Sequence, residues 1–302
     1  MVAEDFPVDN RQQDRGLVKG TFDTMRGFSV LLVVLFGVFF PAFGDEGEIV
    51  FSAVTGWGKV LVRQQGDIRR LLFVENGKET EESRMSVRAP HRPLLDYVRQ
   101  MLAATAVWQS QEGLAPGRIL VVGLGGGSLS TALAHHYPEA TITSIELEPA
   151  VVEAARRQFF YRESDKVITV IDDARHFLET SSGRYDLIYL DAFAGLEVPA
   201  PLRTVEFAQL LEAHLSPQGA VIANIHFVPE GPSLRYRSAL SEIFPHSLLL
   251  SRVAQGNGVY SRHRISLNGV PARAFELDLQ DYLKLAPEVD LQRVEPYRDE
   301  EK

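Results

Sequence analysis

Residues 119–149, ILVVGLGGGSLSTALAHHYPEATITSIELEP, place a glycine cluster between an apolar strand pattern and a helix pattern. A second apolar run follows and ends in Glu146. Because glycine has no Cβ, Gly123, Gly125 and Gly127 let the backbone turn tightly and approach a ligand beside the first N–H groups of the helix. This arrangement is typical of the first strand–loop–helix unit of a nucleotide-binding α/β sheet.

The pattern after residue 118 predicts a Rossmann-like α/β fold, a doubly wound and mostly parallel sheet. Apolar runs alternate with helical patterns, and the runs ILVV, DLIYL and AVIANI are continuous, as in strands that are buried on both faces. Strands are predicted at 119–123, 141–145, 167–171, 185–190, 219–225 and 245–251. Helices between them are predicted at 128–136, 149–160, 174–181, 203–214 and 232–243. The run GVYSRHRISLNG is predicted to add an antiparallel edge strand.

The residues before this sheet form a different pattern. EIVFSAV, GKVLVRQ and RRLLFVEN are short strand patterns separated by turn residues, which predicts a small antiparallel β unit over residues 45–92. Residues 78–92 are polar and are predicted to form a loop. A helical pattern from Pro93 leads into the main domain, residues 93–270. Residues 271–302 form a mixed tail whose charged end, YRDEEK, is predicted to fray.

Residues 1–44 have the composition of a targeting segment. Basic residues precede the apolar run GFSVLLVVLFGVFFPAF, which is shorter than the roughly 20 residues of a comfortable membrane span. Small residues at its end match a signal-peptide cleavage site, so we expect export or membrane association through residues 28–43. The alternative is a cytoplasmic protein in which this run is a buried core segment or the start codon lies further downstream.

Composition excludes several kinds of site. The net charge of −9 argues against a nucleic-acid partner, which needs clustered Lys and Arg. The absence of cysteine excludes a disulfide framework, a thiol nucleophile and a thiolate metal site. The histidines show no metal-ligand spacing, so no metal cofactor is predicted. His135 and His136 suit the end of a helix, and His226 is a candidate pocket residue.

Glu146 narrows the choice of ligand. It lies 23 residues after Gly123, at the end of the second strand, where an acid can bind both ribose hydroxyls. The dinucleotide pattern G-x-G-x-x-G fails because Ser128 occupies the third glycine position, which argues against a dehydrogenase. The remaining G-x-G-x-G is the form found in S-adenosylmethionine-type sites.

Two further acids follow at the same carboxyl edge of the predicted sheet. Asp173 can accept a hydrogen bond from an adenine amino group, with Ala174 leaving room for the ring, or it can simply cap a helix. Asp191 follows the fourth strand, beside the switch point of the sheet. There it can orient or deprotonate an amine acceptor, or only cap the loop.

The segments RILVVGLGGGSL, SIELEPAVVEAA, VIDDARHFL, YDLIYLDAF and PLRTVEFAQLLEAHLSPQGAVIAN together resemble bacterial spermidine synthase-like proteins, the polyamine aminopropyltransferase family. The resemblance covers roughly residues 50–265. It implies a class I S-adenosylmethionine methyltransferase fold, decarboxylated S-adenosylmethionine as co-substrate, a small-molecule amine as acceptor, and dimers or tetramers. It further implies these roles: Gly123, Gly125 and Gly127 at the nucleoside thioether, Glu146 on the ribose, Asp173 on the adenine, and Asp191 as the acid that activates the amine.

Three positions depart from the family pattern. Gly126 replaces the usual aspartate of the glycine loop, Ala194 replaces a second aspartate after strand four, and Thr80 lies where a glutamine is usual. Each lost polar group removes a charge-assisted hydrogen bond worth about 1.5–3 kcal/mol to a cationic substrate. A methyltransferase that uses S-adenosylmethionine, or a non-catalytic adenosyl-binding protein, therefore stays open. The glutamates of residues 79–82 could attract an amine, but we expect them to form a solvated acidic loop.

Overall fold

The computed structural model describes residues 47–56, 58–193, 197–226, 232–252, 255–285, 291 and 294–299. The targeting segment predicted at 1–44, including its apolar run at 28–43, lies outside these residues, as does Ala194. Among the helices in the part of the chain that the structure describes, none is long and apolar enough to cross a membrane.

The chain first forms an antiparallel sheet of four strands in the order β1-β2-β3-β4. The strands are β1 (Glu48–Thr55), β2 (Gly58–Gln65), β3 (Ile68–Glu75) and β4 (Lys78–Ser86). Asn76 and Gly77 form the β3–β4 turn with φ angles of 51° and 78°, the left-handed pair that a tight hairpin requires.

The prediction of a loop over residues 78–92 was wrong for residues 78–86, which form β4. Their polar composition hid the strand. Backbone hydrogen bonds to β3 hold it, and only a few side chains, such as Met85 and Ser83, are buried.

A β-bulge interrupts the β3–β4 pairing at Glu82. Leu71 pairs with Ser83, whereas the next residue, Leu72, pairs with Glu81, so Glu82 is the extra residue of β4. A bulge bends the strand and re-aims the side chain at that position, and bulges occur often beside active sites.

The second sheet has seven strands in the order β10-β11-β9-β8-β5-β6-β7. They are β5 (Arg118–Val122), β6 (Thr141–Glu146), β7 (Val167–Ile171), β8 (Tyr185–Leu190), β9 (Leu215–His226), β10 (His246–Arg252) and β11 (Gln255–Ser261). The five strands β5 to β9 pair in parallel, and β11 is antiparallel to both of its neighbours. The predicted Rossmann-like fold class is confirmed.

The predicted edge strand GVYSRHRISLNG, residues 258–269, overlaps β11 at residues 258–261. β11 is antiparallel, as predicted, but it is not the edge strand. β10 and β11 form a hairpin, and it is the second strand of this hairpin that pairs with β9, so that β10 lies at the edge.

Helices cover both faces of this sheet. They are α1 (Asp96–Glu112), α2 (Ser128–His136), α3 (Pro149–Gln158), α4 (Ala174–Thr180), α5 (Val205–Ala213) and α6 (Pro232–Ile243). Ile119 and Val121 of β5 pack in one core with α1 and α2, while Leu120 and Val122 pack in another with α5 and α6. The central strand is therefore buried on both faces, as its unbroken apolar run predicts.

The described residues of the C-terminal tail pack on the main domain. The strands β12 (Arg273–Ala274) and β13 (Leu277–Asp278) form a hairpin, and a short 3-10 helix follows. Leu279 and Tyr282 of this segment pack on α1. The prediction that YRDEEK frays is wrong for its first three residues, because Asp299 pairs with Arg175 through two hydrogen bonds of 2.5–2.8 Å.

Candidate active site

The glycine loop, residues 123–127, connects β5 to α2. Gly123, Gly125 and Gly127 have φ angles of 94°, 53° and 74°, which residues with a Cβ rarely adopt. A Cβ on Gly123 would collide with the backbone carbonyl of Asp191. The loop and the end of β8 are therefore in direct contact, and Asp191 lies at the same edge of the sheet as the glycines.

Glu146 holds the glycine loop from the end of β6. Its Oε2 accepts hydrogen bonds from the backbone N–H groups of Leu124 at 3.0 Å and Gly125 at 3.4 Å. Its Oε1 accepts one from the N–H of Glu148 at 3.0 Å. Burial raises the pKa of Glu146, although these hydrogen bonds oppose the rise. Each carboxylate oxygen has about two acceptor sites, so Oε1, which accepts one of these bonds, can accept another from a ligand hydroxyl.

Asp173 lies at the N-terminus of α4 and caps it. Its Oδ1 accepts hydrogen bonds from the N–H groups of Arg175 at 2.9 Å and His176 at 3.0 Å. Because β6 and β7 are parallel neighbours, Asp173 lies at the same edge of the sheet as Glu146. Ala174 is buried and packs in the core of the α5–α6 face.

Asp191 accepts hydrogen bonds from two side chains. Its Oδ1 accepts a hydrogen bond from Asn224 Nδ2 at 3.0 Å, and the Tyr97 hydroxyl also bonds its carboxyl group. Burial raises the pKa of Asp191 to about 7, the charge of Glu146 adds to the rise, and the two hydrogen bonds oppose it. A carboxyl group with this pKa can accept and release a proton at neutral pH.

Glu82 is a fourth carboxyl group beside this edge. Burial, followed by the charges of Asp191 and Glu146, raises the pKa of Glu82 to about 7. Its Oε1 is buried and has no hydrogen-bond partner among the described residues. A Cβ on Gly125 would lie 4.0 Å from the Glu82 carbonyl oxygen, so β4 runs beside the glycine loop. The expectation of a solvated loop was wrong for Glu82, because the bulge turns its side chain inward.

Position 126 has no space for a side chain. A Cβ on Gly126 would lie 2.7 Å from Ser83 Oγ and 2.8 Å from a ring carbon of Phe159. The space that an aspartate would need at this position is therefore filled by β4 and by the end of α3.

Three polar residues of this site were not among the predicted ones. Asn224 lies near the carboxyl end of β9, the parallel neighbour of β8, so the carboxyl-edge argument applies to it as well. Tyr97 comes from α1, which precedes the glycine loop in the sequence and carries no signal of its own. Glu82 was set aside because its surroundings are polar. The side chain of His226, the other candidate, lies outside the described residues.

Comparison with known proteins identifies the family. Residues 119–219 match the model of a methyltransferase domain. A polyamine aminopropyltransferase from Vibrio vulnificus is 30% identical over 223 residues, which cover 71% of this chain and 73% of that protein. The chain belongs to the polyamine aminopropyltransferase family. A second polyamine aminopropyltransferase, from Chromobacterium violaceum, is 30% identical over 176 residues, 58% of this chain and 64% of that protein.

This chain is also similar to methyltransferases. An eEF1A lysine and N-terminal methyltransferase from Bos taurus is 30% identical over 174 residues, 53% of this chain and 25% of that protein. The structure of a probable spermidine synthase from Corynebacterium glutamicum matches with a TM-score of 0.61 and 20% identity, covering 72% of this chain and 81% of that one. The structure of human methyltransferase-like protein 13 in complex with SAH matches with a TM-score of 0.52 and 24% identity, covering 66% of this chain and 97% of that one. The fold, the family resemblance and the assignment as a transferase are confirmed.

Proposed function

We propose that this protein transfers an aminopropyl group from decarboxylated S-adenosylmethionine to a di- or polyamine. The observation that carries the proposal is the group of three carboxyls, Glu82, Glu146 and Asp191, which interact electrostatically beside the glycine loop. Such a group suits a sulfonium donor and a cationic acceptor. The names of the relatives, polyamine aminopropyltransferases and a methyltransferase with bound SAH, support an adenosyl co-substrate.

The donor half of the site is built on the glycine loop. We propose that Glu146 binds the ribose through a hydrogen bond to its Oε1, and that Asp173 accepts a hydrogen bond from the adenine amino group while its Oδ1 continues to cap α4. Leu147, directly after Glu146, is 53% exposed and offers an apolar surface for the purine. These roles need the two acids at one edge of the sheet, which the parallel pairing of β6 and β7 supports.

Asp191 then activates the acceptor. An alkyl amine has a pKa of about 10.4 in water, so it reaches the site as an ammonium ion without a free lone pair. Asp191 accepts a proton from this group, with Asn224 and Tyr97 fixing its orientation. The amine nitrogen attacks the carbon next to the sulfonium sulfur, the carbon–sulfur bond breaks with its electrons moving to sulfur, and neutral methylthioadenosine leaves.

Glu82 supplies the negative charge that the departures from the family pattern remove. Position 126 is filled, yet β4 brings Glu82 beside the glycine loop, and its Oε1 is buried with no hydrogen-bond partner in the described part of the chain. We propose that this oxygen binds the other ammonium group of the acceptor, the one that does not attack the donor. A buried charge without a partner is costly, and a cationic substrate would offset that cost.

Methyl transfer from S-adenosylmethionine to an amine is the second candidate. It is favoured by the filled position 126, which removes the aspartate expected to bind an aminopropyl chain. The lysine and N-terminal methyltransferases among the relatives have names that also imply amine acceptors. Both reactions use an amine nucleophile and a sulfonium donor, so the donor distinguishes them.

Calorimetry with S-adenosylmethionine, its decarboxylated form and methylthioadenosine, followed by a turnover assay with putrescine, tests the proposal. Tighter binding of the decarboxylated donor, with spermidine formed, supports aminopropyl transfer. Preference for S-adenosylmethionine without a product from putrescine contradicts aminopropyl transfer and supports methyl transfer. If no adenosyl compound binds, both reactions are excluded.

A further inference from the structure

We propose that His91, His135 and Glu276 bind a zinc ion at a site separate from the proposed active site. Their candidate ligand atoms all lie within 4.8 Å of one another. His91 lies in the connection between β4 and α1, His135 in the last turn of α2, and Glu276 in the β12–β13 turn. The three residues come from distant parts of the sequence, which is why their spacing along the chain does not indicate a metal site.

The two histidine rings are already close together. The ring centroids of His91 and His135 are 4.4 Å apart and the ring planes differ by 33°. His91 is half-buried, and His135 is exposed at the end of its helix. Neutral imidazole nitrogens are among the commonest zinc ligands, and a carboxylate oxygen completes a set that zinc accepts.

The turn that carries Glu276 has an unusual backbone. Phe275 and Glu276 have φ angles of 53° and 60°, a left-handed pair that tight hairpins normally fill with Asn or Gly. The turn directs Glu276 toward Arg92, whose Nε lies 2.6 Å from Glu276 Oε2. Arg92 follows His91 in the sequence, so this ion pair holds the carboxylate beside the first histidine. Hydrogen-bonded ligating carboxylates are common in metal sites, and Oε1 can bind the ion.

Zinc bound here would have three protein ligands and a water molecule. It would join the β12–β13 hairpin to the end of α2 and to the connection before α1. The proposed active site lies at the other end of α2, a helix of 9 residues, or about 13 Å at 1.5 Å per residue. We therefore expect zinc to stabilise the fold without taking part in the transfer reaction.

The test uses the full chain without a histidine tag, stripped with EDTA and titrated with zinc chloride by calorimetry. We expect one zinc ion per chain and a higher thermal unfolding midpoint in zinc than in EDTA. The cobalt-substituted protein should show visible absorption from a low-symmetry site. We expect His91→Ala, His135→Ala and Glu276→Gln each to weaken zinc binding by at least tenfold, because even residues that only hydrogen-bond to metal ligands contribute about 10–100-fold.

His246→Ala is the matched control, because His246 is an exposed histidine on β10. It should bind zinc like the unsubstituted protein, and all variants should unfold at similar temperatures in EDTA. The proposal is overturned if zinc does not bind to the unsubstituted protein. It is also overturned if His91→Ala and His135→Ala bind zinc as tightly as the unsubstituted protein does. Neither readout depends on transferase activity, so the result is independent of the proposed function.

Discussion

Asp191 and Glu82 are acids whose surroundings move their titration to neutral pH. Burial is the largest cause for both, and each pKa rises to about 7, from about 3.9 and 4.3 in water. The carboxylate form of Asp191 is the one that can accept a proton from an amine. Below about pH 7 this form is lost, so kcat/KM should fall as the pH is lowered through this range.

Replacing Asp191 by Asn should reduce turnover about 100- to 10,000-fold, the usual contribution of a general base. Donor affinity should change little, because the ribose and adenine contacts are proposed for other residues. Initial rates and calorimetry measure the two effects separately. Asp186→Asn is the control, since Asp186 bonds the backbone of Gly117 and Arg118 at the opposite end of β8. Unchanged turnover in Asp191→Asn would show that the base is another group.

Glu82→Gln should raise KM for the amine by about 10- to 150-fold, which corresponds to the roughly 1.5–3 kcal/mol of one hydrogen bond to a charged group. It should leave donor affinity unchanged. Steady-state kinetics at varied amine concentration measure KM. Glu75→Gln is the control, because Glu75 is exposed at the end of β3. An equal rise in KM in Glu75→Gln would contradict the proposal that Glu82 binds the amine.

The same substitution should change the pH dependence of stability. The folded state raises the pKa of Glu82 from 4.5 to about 7, so the free energy of unfolding falls as the pH rises between these two values and the loss is complete above about pH 7. Below about pH 4 the group is neutral in both states and this cost is absent. The thermal midpoint of Glu82→Gln should therefore exceed that of the parent at pH 8, and the difference should shrink toward pH 4–5. Thermal unfolding followed by circular dichroism checks this, and a gain that is the same at both pH values would be inconsistent with a buried charge.

At the scale of elements, apolar periodicity predicted the helices and parallel strands well. The five helices between strands begin and end within two residues of the predicted positions. β4 was missed because its sequence, KETEESRMS, is polar and its stability comes from backbone pairing with β3. The bulge at Glu82 depends on the register of two strands, which no local pattern in β4 contains.

The contact between β4, α3 and the glycine loop predicts the effect of a methyl group at position 126. Gly126→Ala should destabilise the protein by about 1–3 kcal/mol, because the Cβ would overpack against Ser83 and Phe159. Denaturant unfolding measures the change.

Gly56→Ala is the matched control, because a Cβ there meets no atom within 4 Å. It should change the free energy of unfolding by no more than about 0.5 kcal/mol. If Gly126→Ala were as stable as this control, Ser83 and Phe159 would not fill the space beside position 126 in solution.

At the scale of the whole molecule, the site combines residues from both sheets and from α1. The acids at the ends of β6, β7 and β8 could be predicted, because parallel strands bring their carboxyl ends to one edge. Tyr97 and Glu82 could not, since the packing of the small sheet and of α1 against that edge depends on contacts between distant segments. The packing of the tail was missed for the same reason.

One of the contacts between the tail and the main sheet domain is the ion pair of Asp299 with Arg175. Asp299 accepts hydrogen bonds from Arg175 and from the Thr204 hydroxyl at 2.8 Å. Asp299→Ala should lower the free energy of unfolding by about 1–3 kcal/mol, because it leaves a largely buried guanidinium group without this partner. Arg298→Ala, which removes an exposed pair with Glu242, should cost no more than about 1 kcal/mol. Equal losses in the two variants, measured by denaturant unfolding, would contradict the role of Asp299.

The glycine loop and Glu146 are proposed to form an adenosyl site. Calorimetric titration of methylthioadenosine into the parent protein and into Glu146→Gln tests it most directly, because the ligand lacks the transferred group and reports only nucleoside binding. One molecule should bind per chain, with affinity reduced at least tenfold in the variant, about 1.4 kcal/mol or more. Absence of binding to the parent, or equal affinity in a folded Glu146→Gln variant, would contradict the claim.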